Sequence, residues 1–186
     1  MTSPNPHAID ADTLSGMKPL RKVVFSLGSN LGDRLANLQG AVDAIRDTPD
    51  VIVVDVSSVY ETEPVDMADG SPQFLNIVIV GESTLEPRTL LERAQAIEDA
   101  FGRERPEPNA SRTLDVDLVM VGNTEVAQSD LTLPHPRAHE RGFVLVPWAE
   151  IDPAAELPGH GPIAPLLEKV GAEGVTKRDD LMIEGD

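Results

Sequence analysis

The sequence predicts a single α+β domain with a mostly antiparallel sheet. Three observations carry that expectation. Apolar runs and apolar periodicities alternate in the order β-α-β-β-α-β, an Asp-Val-Asp alternation marks the last strand of the series, and length and composition suit one core. The 186 residues amount to 20.0 kDa, with 40% hydrophobic and 25% charged residues, which excludes wholesale disorder.

Taken in order, Val23-Val24-Phe25-Ser26-Leu27 reads as a buried strand stopped at Gly28-Ser29-Asn30-Leu31-Gly32. Leu35, Leu38, Val42 and Ile45 then recur at helical spacing from an Asp33 start. Residues 51–60 are β-branched and strand-like, 64–72 form a loop, and 74–80 form a strand placed for antiparallel pairing. Pro87 suits the first turn of a helix with Leu90, Leu91, Ala94, Ile97 and Phe101 on one face, and Gly102 suits its end. After an Arg-, Pro- and Asn-containing loop over 103–112, Leu114, Val116 and Leu118 alternate with Asp115, Asp117 and Val119, so a strand sets both aspartates on one face. A turn at Gly122-Asn123, a short Leu131-Thr132-Leu133 segment and helices over 143–149 and 163–170 form an extension packed on the sheet. Residues 1–20 are expected to be a mobile tail, 21–170 the domain and 171–186 a C-terminal tail.

Lys and Arg total 15 against 32 Asp and Glu, a formal charge of −17 that disfavours a broad grip on nucleic acid or an anionic bilayer. No apolar stretch approaches the ~20 residues of a membrane span, and the first residues carry no signal-peptide pattern. With no cysteine there is no disulfide framework or thiolate site. A cytoplasmic protein is expected.

The chemistry-bearing residues cluster late in the chain. Two carboxylates two positions apart on a strand lie roughly 7 Å from one another, close enough to serve neighbouring Mg²⁺ ions, although a solvated strand face gives the same pattern. Arg103, Arg105, Arg112, Arg137 and Arg141 surround that pair in an otherwise acidic chain. Singly, each arginine suits a surface ion pair with Glu104, Glu107 or Glu140; together they suggest a phosphate-bearing anion. The Gly28–Gly32 stretch is neither a Walker A loop nor a dinucleotide fingerprint, and serves equally as a tight turn or a close-approach loop. His135, between two prolines, suits either a phosphate contact or a packing role. Phe74 and Asn76 offer a stacking face and an amide for a heterocycle, or a core residue and a local cap.

Taken together, Gly28-Ser29-Asn30-Leu31-Gly32, Tyr60-Glu61-Thr62-Glu63-Pro64, Phe74-Leu75-Asn76, Arg112-Thr113-Leu114-Asp115-Val116-Asp117, Pro134-His135 and Arg141-Gly142-Phe143, in this order, closely resemble the 6-hydroxymethyl-7,8-dihydropterin pyrophosphokinase family over residues 22–165. The resemblance implies a ferredoxin-like sandwich, ATP as co-substrate, two Mg²⁺ ions held by Asp115 and Asp117, and release of AMP. It implies catalytic roles for Asp117, Asp115, Arg103 and Arg112, and ATP contacts from Glu98, Arg103, Arg105, Arg112, His135 and Arg141. A pterin pocket would be formed by Gly28, Thr62, Pro64, Val65, Phe74, Asn76 and Phe143. The chain departs from the family at Phe74, often tyrosine there, and at Pro108-Asn109-Ala110-Ser111, where many members carry Arg-Trp-Gly-Pro. ATP and the pterin are the expected partners, with no nucleic acid or membrane, and a monomer is the expected state. Two other classes fit the fold: a ligand-sensing module and an ADP-forming small-molecule kinase.

Overall fold

The computed structural model describes residues 18–63, 73–101 and 113–185. Of the expected N-terminal tail, residues 1–17 lie outside the described residues, and 18–20 are exposed and irregular. In chain order the elements are β1 (Arg21–Ser29), α1 (Arg34–Arg46), β2 (Val51–Val56), β3 (Tyr60–Thr62), β4 (Phe74–Ser83), α2 (Pro87–Phe101), β5 (Asp115–Val121), β6 (Val126–Ala127) and β7 (Thr132–Leu133). A 3₁₀ turn (Ala138–Glu140), α3 (Gly142–Ile151), β8 (Glu156–Leu157), β9 (Gly161–Pro162), α4 (Ile163–Val170) and β10 (Val175–Lys177) follow.

The main sheet runs β10-β3-β4-β1-β5, with β2 also on β4, and each neighbouring pair is antiparallel. Strands β5-β1-β4 with the β2/β3 edge, and α1 and α2 as crossovers, make the expected ferredoxin-like sandwich. Asp33 caps α1 by accepting a hydrogen bond from the Ala36 amide at 3.1 Å, and Pro87 opens α2 where a missing N–H costs nothing.

Strand alternation divides the core in two. Val23, Phe25 and Leu27 of β1, Leu75, Ile77 and Ile79 of β4, and Val116 and Leu118 of β5 pack under α1 and α2. Val24, Val78, Val80, Val119 and Met120 face the other way, against Val144, Leu145 and Trp148 of α3. A register slip between β1 and β5 at Val24/Phe25 lets both Val119 and Met120 join this second core. The second core covers one end of the sheet; at the other end the same face turns polar.

Two sequence expectations are corrected. The single strand over 51–60 is two, because the ladder is interrupted at Ser57, whose amide donates to Val78 O and whose hydroxyl accepts from Val78 N, both at 2.9 Å. The segment over 171–186 is not a plain tail. Val175–Lys177 pairs with the outer edge of β3, which would otherwise present unpaired backbone groups, and Leu181 and Ile183 pack against the first core.

Trp148 is fully buried in the second core, and its indole N–H finds no acceptor among the described residues. Trp148→Ala should therefore cost about 3–5 kcal/mol in urea unfolding followed by circular dichroism. Trp148→Phe should cost clearly less, because it keeps most of the packing and removes a buried donor without an acceptor.

Candidate active site

Beyond the second core, the same face of the sheet carries Ser26 and Gly28 on β1, Phe74 and Asn76 on β4, and Asp115 and Asp117 on β5. These residues floor a cleft of about 640 Å³. The register fixes their order: Gly28 lies opposite Asn76 on one side and Asp115 on the other, and Ser26 lies between Val78 and Asp117. Asp115 and Asp117 thus share a face, as alternation requires, while Val116 and Leu118 are buried under the helices. Glu98 of α2 does not line the cleft. Its carboxylate accepts from the Val116 amide at 2.8 Å on the outer edge of β5, bracing the strand that carries both aspartates. A second brace comes from Asn37, which donates to Leu31 O at 3.0 Å and Thr113 O at 3.4 Å, while the Ser29 hydroxyl donates to Thr113 O.

At the β4 side, the Thr62 hydroxyl donates to the Asn76 side-chain carbonyl at 2.6 Å, both residues being buried. This leaves the amide nitrogen turned over Gly28, where an added Cβ would sit 2.8 Å from Asn76 Nδ2 and 3.3 Å from Phe74. Position 28 therefore has room for glycine alone while Asn76 keeps this orientation. Phe143, at the start of α3, lines the cleft and lies under the Arg141 guanidinium, 5.4 Å from the ring centroid.

The opposite wall is basic. His135, Arg137 and Arg141 line it, with Glu140 beside them. His135 is tied to β5 through its amide, which donates to Val119 O at 2.8 Å, and its Nδ1 accepts from the Arg137 amide at 3.2 Å. Nε2 therefore carries the proton in the neutral ring. Burial, with Arg141 and Arg137 close by, holds this imidazole at about 4, below its ordinary 6.5. The last wall is the chain after α4, with Gly171, Glu173, Gly174 and Val175. It approaches so closely that a Cβ at Gly142 would lie 3.0 Å from Gly171 O.

The structure thus gathers Gly28, Thr62, Phe74, Asn76, Asp115, Asp117, His135, Arg141 and Phe143 around one space. Pro64, Val65, Arg103, Arg105 and Arg112 lie outside the described residues. Ser26, Glu63, Glu140 and the 171–175 wall were not anticipated. The period of two from Gly28 would have flagged Ser26, whereas no local pattern marks the C-terminal wall.

The donor set at Asp115 and Asp117 is carboxylate oxygen alone, and no group of three His, Asp or Glu side chains suited to a metal occurs among the described residues. That fits a hard divalent ion of the Mg²⁺ type, which takes one or two protein carboxylates and fills its shell from water and phosphate. It does not fit a closed zinc site. Among the described residues no helix is long and apolar enough to cross a membrane.

Comparison with known proteins bears on the family and the fold. Residues 24–153 match the family described as 7,8-dihydro-6-hydroxymethylpterin-pyrophosphokinase (HPPK). The 2-amino-4-hydroxy-6-hydroxymethyldihydropteridine pyrophosphokinase of Mycobacterium leprae is 46% identical over 149 residues, covering 74% of this chain and 75% of the relative. The protein of the same name from Mycobacterium tuberculosis is 40% identical over 164 residues, covering 81% of this chain and 85% of the relative. Among solved structures, wild-type Plasmodium falciparum HPPK-DHPS with pteroate superposes with a TM-score of 0.68 at 12% identity, over 88% of this chain and 49% of that one. This last likeness concerns the fold, and the present chain spans about half the length of that protein. A match over most of the chain, and relatives this similar over most of their own lengths, mean that the chain belongs to the HPPK family, the pyrophosphokinases that act on hydroxymethyldihydropterin in folate biosynthesis.

Proposed function

We propose that the cleft transfers the pyrophosphoryl group of ATP to the hydroxymethyl oxygen of 6-hydroxymethyl-7,8-dihydropterin with the help of Mg²⁺, releasing AMP, and that the residues named above divide the work by wall. The observation that carries this reading is the register around Gly28. It sets the Asn76 amide and the Asp115 carboxylate on strands two spacings apart, ~10 Å, about the span of a flat two-ring heterocycle with its hydroxymethyl arm.

On the amide side, Asn76 held by Thr62 meets the polar edge of the heterocycle, Gly28 leaves the floor clear, and Phe74 and Phe143 supply apolar faces. Pro64 and Val65 join this pocket in the same reading. On the basic side, Arg141 and His135 take the phosphates, Arg137 standing beside them, with Arg103, Arg105 and Arg112 completing the clamp and Glu98 nearby. In the reaction the hydroxymethyl oxygen bonds to the β-phosphorus, the bond from that phosphorus to the α,β-bridging oxygen breaks, and AMP leaves with that oxygen. Asp117 accepts the hydroxyl proton, and the arginines hold the charge that develops on the transferring group. Asp115 and Asp117 would hold magnesium, two ions in all, which supplies neutralisation of phosphate charge and a more acidic substrate hydroxyl.

The same reading takes the protein to be a cytoplasmic monomer that engages neither nucleic acid nor a membrane; the charge of −17 supports the last two, since it repels polyanions and anionic bilayers. Product analysis separates the alternatives. Mg²⁺-dependent formation of AMP and the pterin diphosphate supports the proposal; ADP as the main product would mean ordinary phosphoryl transfer, and no turnover a binding module.

Asp115→Asn and Asp117→Asn should each lower AMP formation by roughly two to four orders of magnitude, while metal-free thermal unfolding stays at or slightly above wild type once the repulsion between the aspartates is relieved. Asn76→Ala should weaken pterin binding by about 1–3 kcal/mol in calorimetry and leave ATP binding nearly unchanged, because Thr62 loses its acceptor and the heterocycle edge its partner.

His135 gives a pH signature. Its folded-state value of about 4 lies below the unfolded 6.5, so the unfolded chain binds more protons between those values. The contribution of this residue to stability is complete above 6.5 and is lost as pH falls toward 4. Phosphates between Arg137 and Arg141 cancel the repulsion, so NMR titration of the imidazole should show its pKa rising with bound nucleotide.

A further inference from the structure

A connected charge cluster outside the cleft lies behind β3. Tyr60 and Thr62 point toward the cleft side of this strand, and Glu61 points to the other face. There the Glu61 carboxylate receives two arginines from distant parts of the chain. Arg34 Nη1, at the first residue of α1, lies 2.7 Å from Oε2, and Arg178 Nη1, just after β10, lies 3.2 Å from Oε1. Arg34 also donates to Gln73 O at 2.7 Å, immediately before Phe74. Arg178 donates its amide to Val59 O at 2.8 Å and is held from its other side by Asp180, at 2.7 and 2.8 Å. A cation in the first turn of a helix opposes the helix dipole, so Arg34 gains nothing from its own helix and is held by its partners.

None of the three residues lines the cleft, yet Glu61 adjoins a residue that does, Arg34 holds the carbonyl of Gln73 beside another, and Arg178 follows the strand that carries a third. Glu61 precedes Thr62, Gln73 precedes Phe74, and Thr62 pairs with both Phe74 and Val175. We propose that Glu61 is a positioning residue of this active site, joining Arg34 and Arg178 so that the amide side of the cleft and the C-terminal wall are held in register with one another. Side chains of Glu61, Arg34 and Arg178 are 21%, 27% and 29% exposed, so the pairs are partly screened and each is worth little to global stability. Their effect is local: they set the distance between Thr62, Phe74 and the 171–175 wall, and so the fit of the heterocycle, while leaving the phosphate wall of His135, Arg137 and Arg141 alone. This inference rests on the assignment of the Asn76 side to the pterin.

The test uses the full chain with Glu61→Gln, Arg178→Met and Arg178→Lys. Calorimetry with 6-hydroxymethylpterin and with a non-hydrolysable ATP analogue in Mg²⁺ gives two affinities, steady-state AMP formation gives kcat, and amide hydrogen exchange reports on 174–178. Glu61→Gln and Arg178→Met should weaken pterin binding about fivefold to thirtyfold, the upper end of what one or two such ion pairs supply. Affinity for the ATP analogue should stay within about twofold and kcat at saturation within about threefold. Exchange over 174–178 should accelerate, and Arg178→Lys should recover part of the loss. If Glu61→Gln does not fold, Arg178→Met decides alone. Pterin affinity within twofold of wild type in the variants that fold overturns the proposal, as does an equal fall in both affinities. Should the wild type form no AMP and bind no pterin, the functional reading fails by itself, and unchanged exchange over 174–178 then removes the clamp as well.

Discussion

The contact on which the cleft depends is the close approach of Asn76 to Gly28. β1 is central, paired with β4 on one side and β5 on the other, so whatever projects from Gly28 would stand between the Asn76 amide and the Asp115 carboxylate. A methyl group there would meet Asn76 Nδ2 at 2.8 Å, and the Thr62 hydroxyl already fixes the other end of that amide. An empty position in mid-strand normally weakens a sheet, because nothing packs there and backbone entropy is lost. Here the strand is buried from both neighbours, which offsets that cost, and the emptiness becomes floor space. Four residues back along the same face, Val24 begins the second core. One strand face therefore serves packing at one end and chemistry at the other.

Charge is arranged with the same economy. The protein is strongly acidic, yet the cleft that holds Asp115 and Asp117 also gathers Arg137, Arg141 and a histidine kept neutral by burial and those arginines. Carboxylates and guanidinium groups therefore line the same cleft, in a protein whose overall charge has one sign. The Glu98 carboxylate contributes differently, by holding the Val116 amide on an outer strand edge that pairs with no further strand among the described residues. That contact keeps the flanking aspartates aligned without consuming either of them.

The edge beyond β3 adds a third constraint. β3 is only three residues long, too short to be firmly placed by its pairing with β4 alone. It is held on the cleft side by Glu150 of α3, which accepts from Tyr60 Oη at 3.1 Å and from Ser58 N and Oγ at 2.9 and 2.5 Å, and on the far side by Glu61 with its two arginines. Burial and the neighbouring Glu150 carboxylate push the Tyr60 hydroxyl up to about 12, so it remains a donor throughout the ordinary pH range. β10 then completes the ribbon, and the chain leading into it closes the cleft.

Much of this was legible in the sequence because it rests on local periodicity. The alternation at Asp115-Val116-Asp117 placed both carboxylates on one face, the helical spacing from Asp33 and from Pro87 located α1 and α2, and the order of elements gave the sandwich. The motifs also named Gly28, Thr62, Asn76, His135 and Arg141, which the structure brings around one space. What the sequence could not disclose depends on partners far apart in the chain. Residues 175–177 are too short to announce a strand and become one because the outer edge of β3 needs hydrogen-bond partners. Ser57 divides a continuous β-branched run because its hydroxyl replaces one rung of the ladder. The meeting of Arg34, Glu61 and Arg178 has no sequence signal, since three ordinary surface-type charges become a joint only when tertiary packing sets α1, β3 and the end of β10 against one another. Sequence determined which groups are available and which face of each element they occupy; packing decided which of those faces meet.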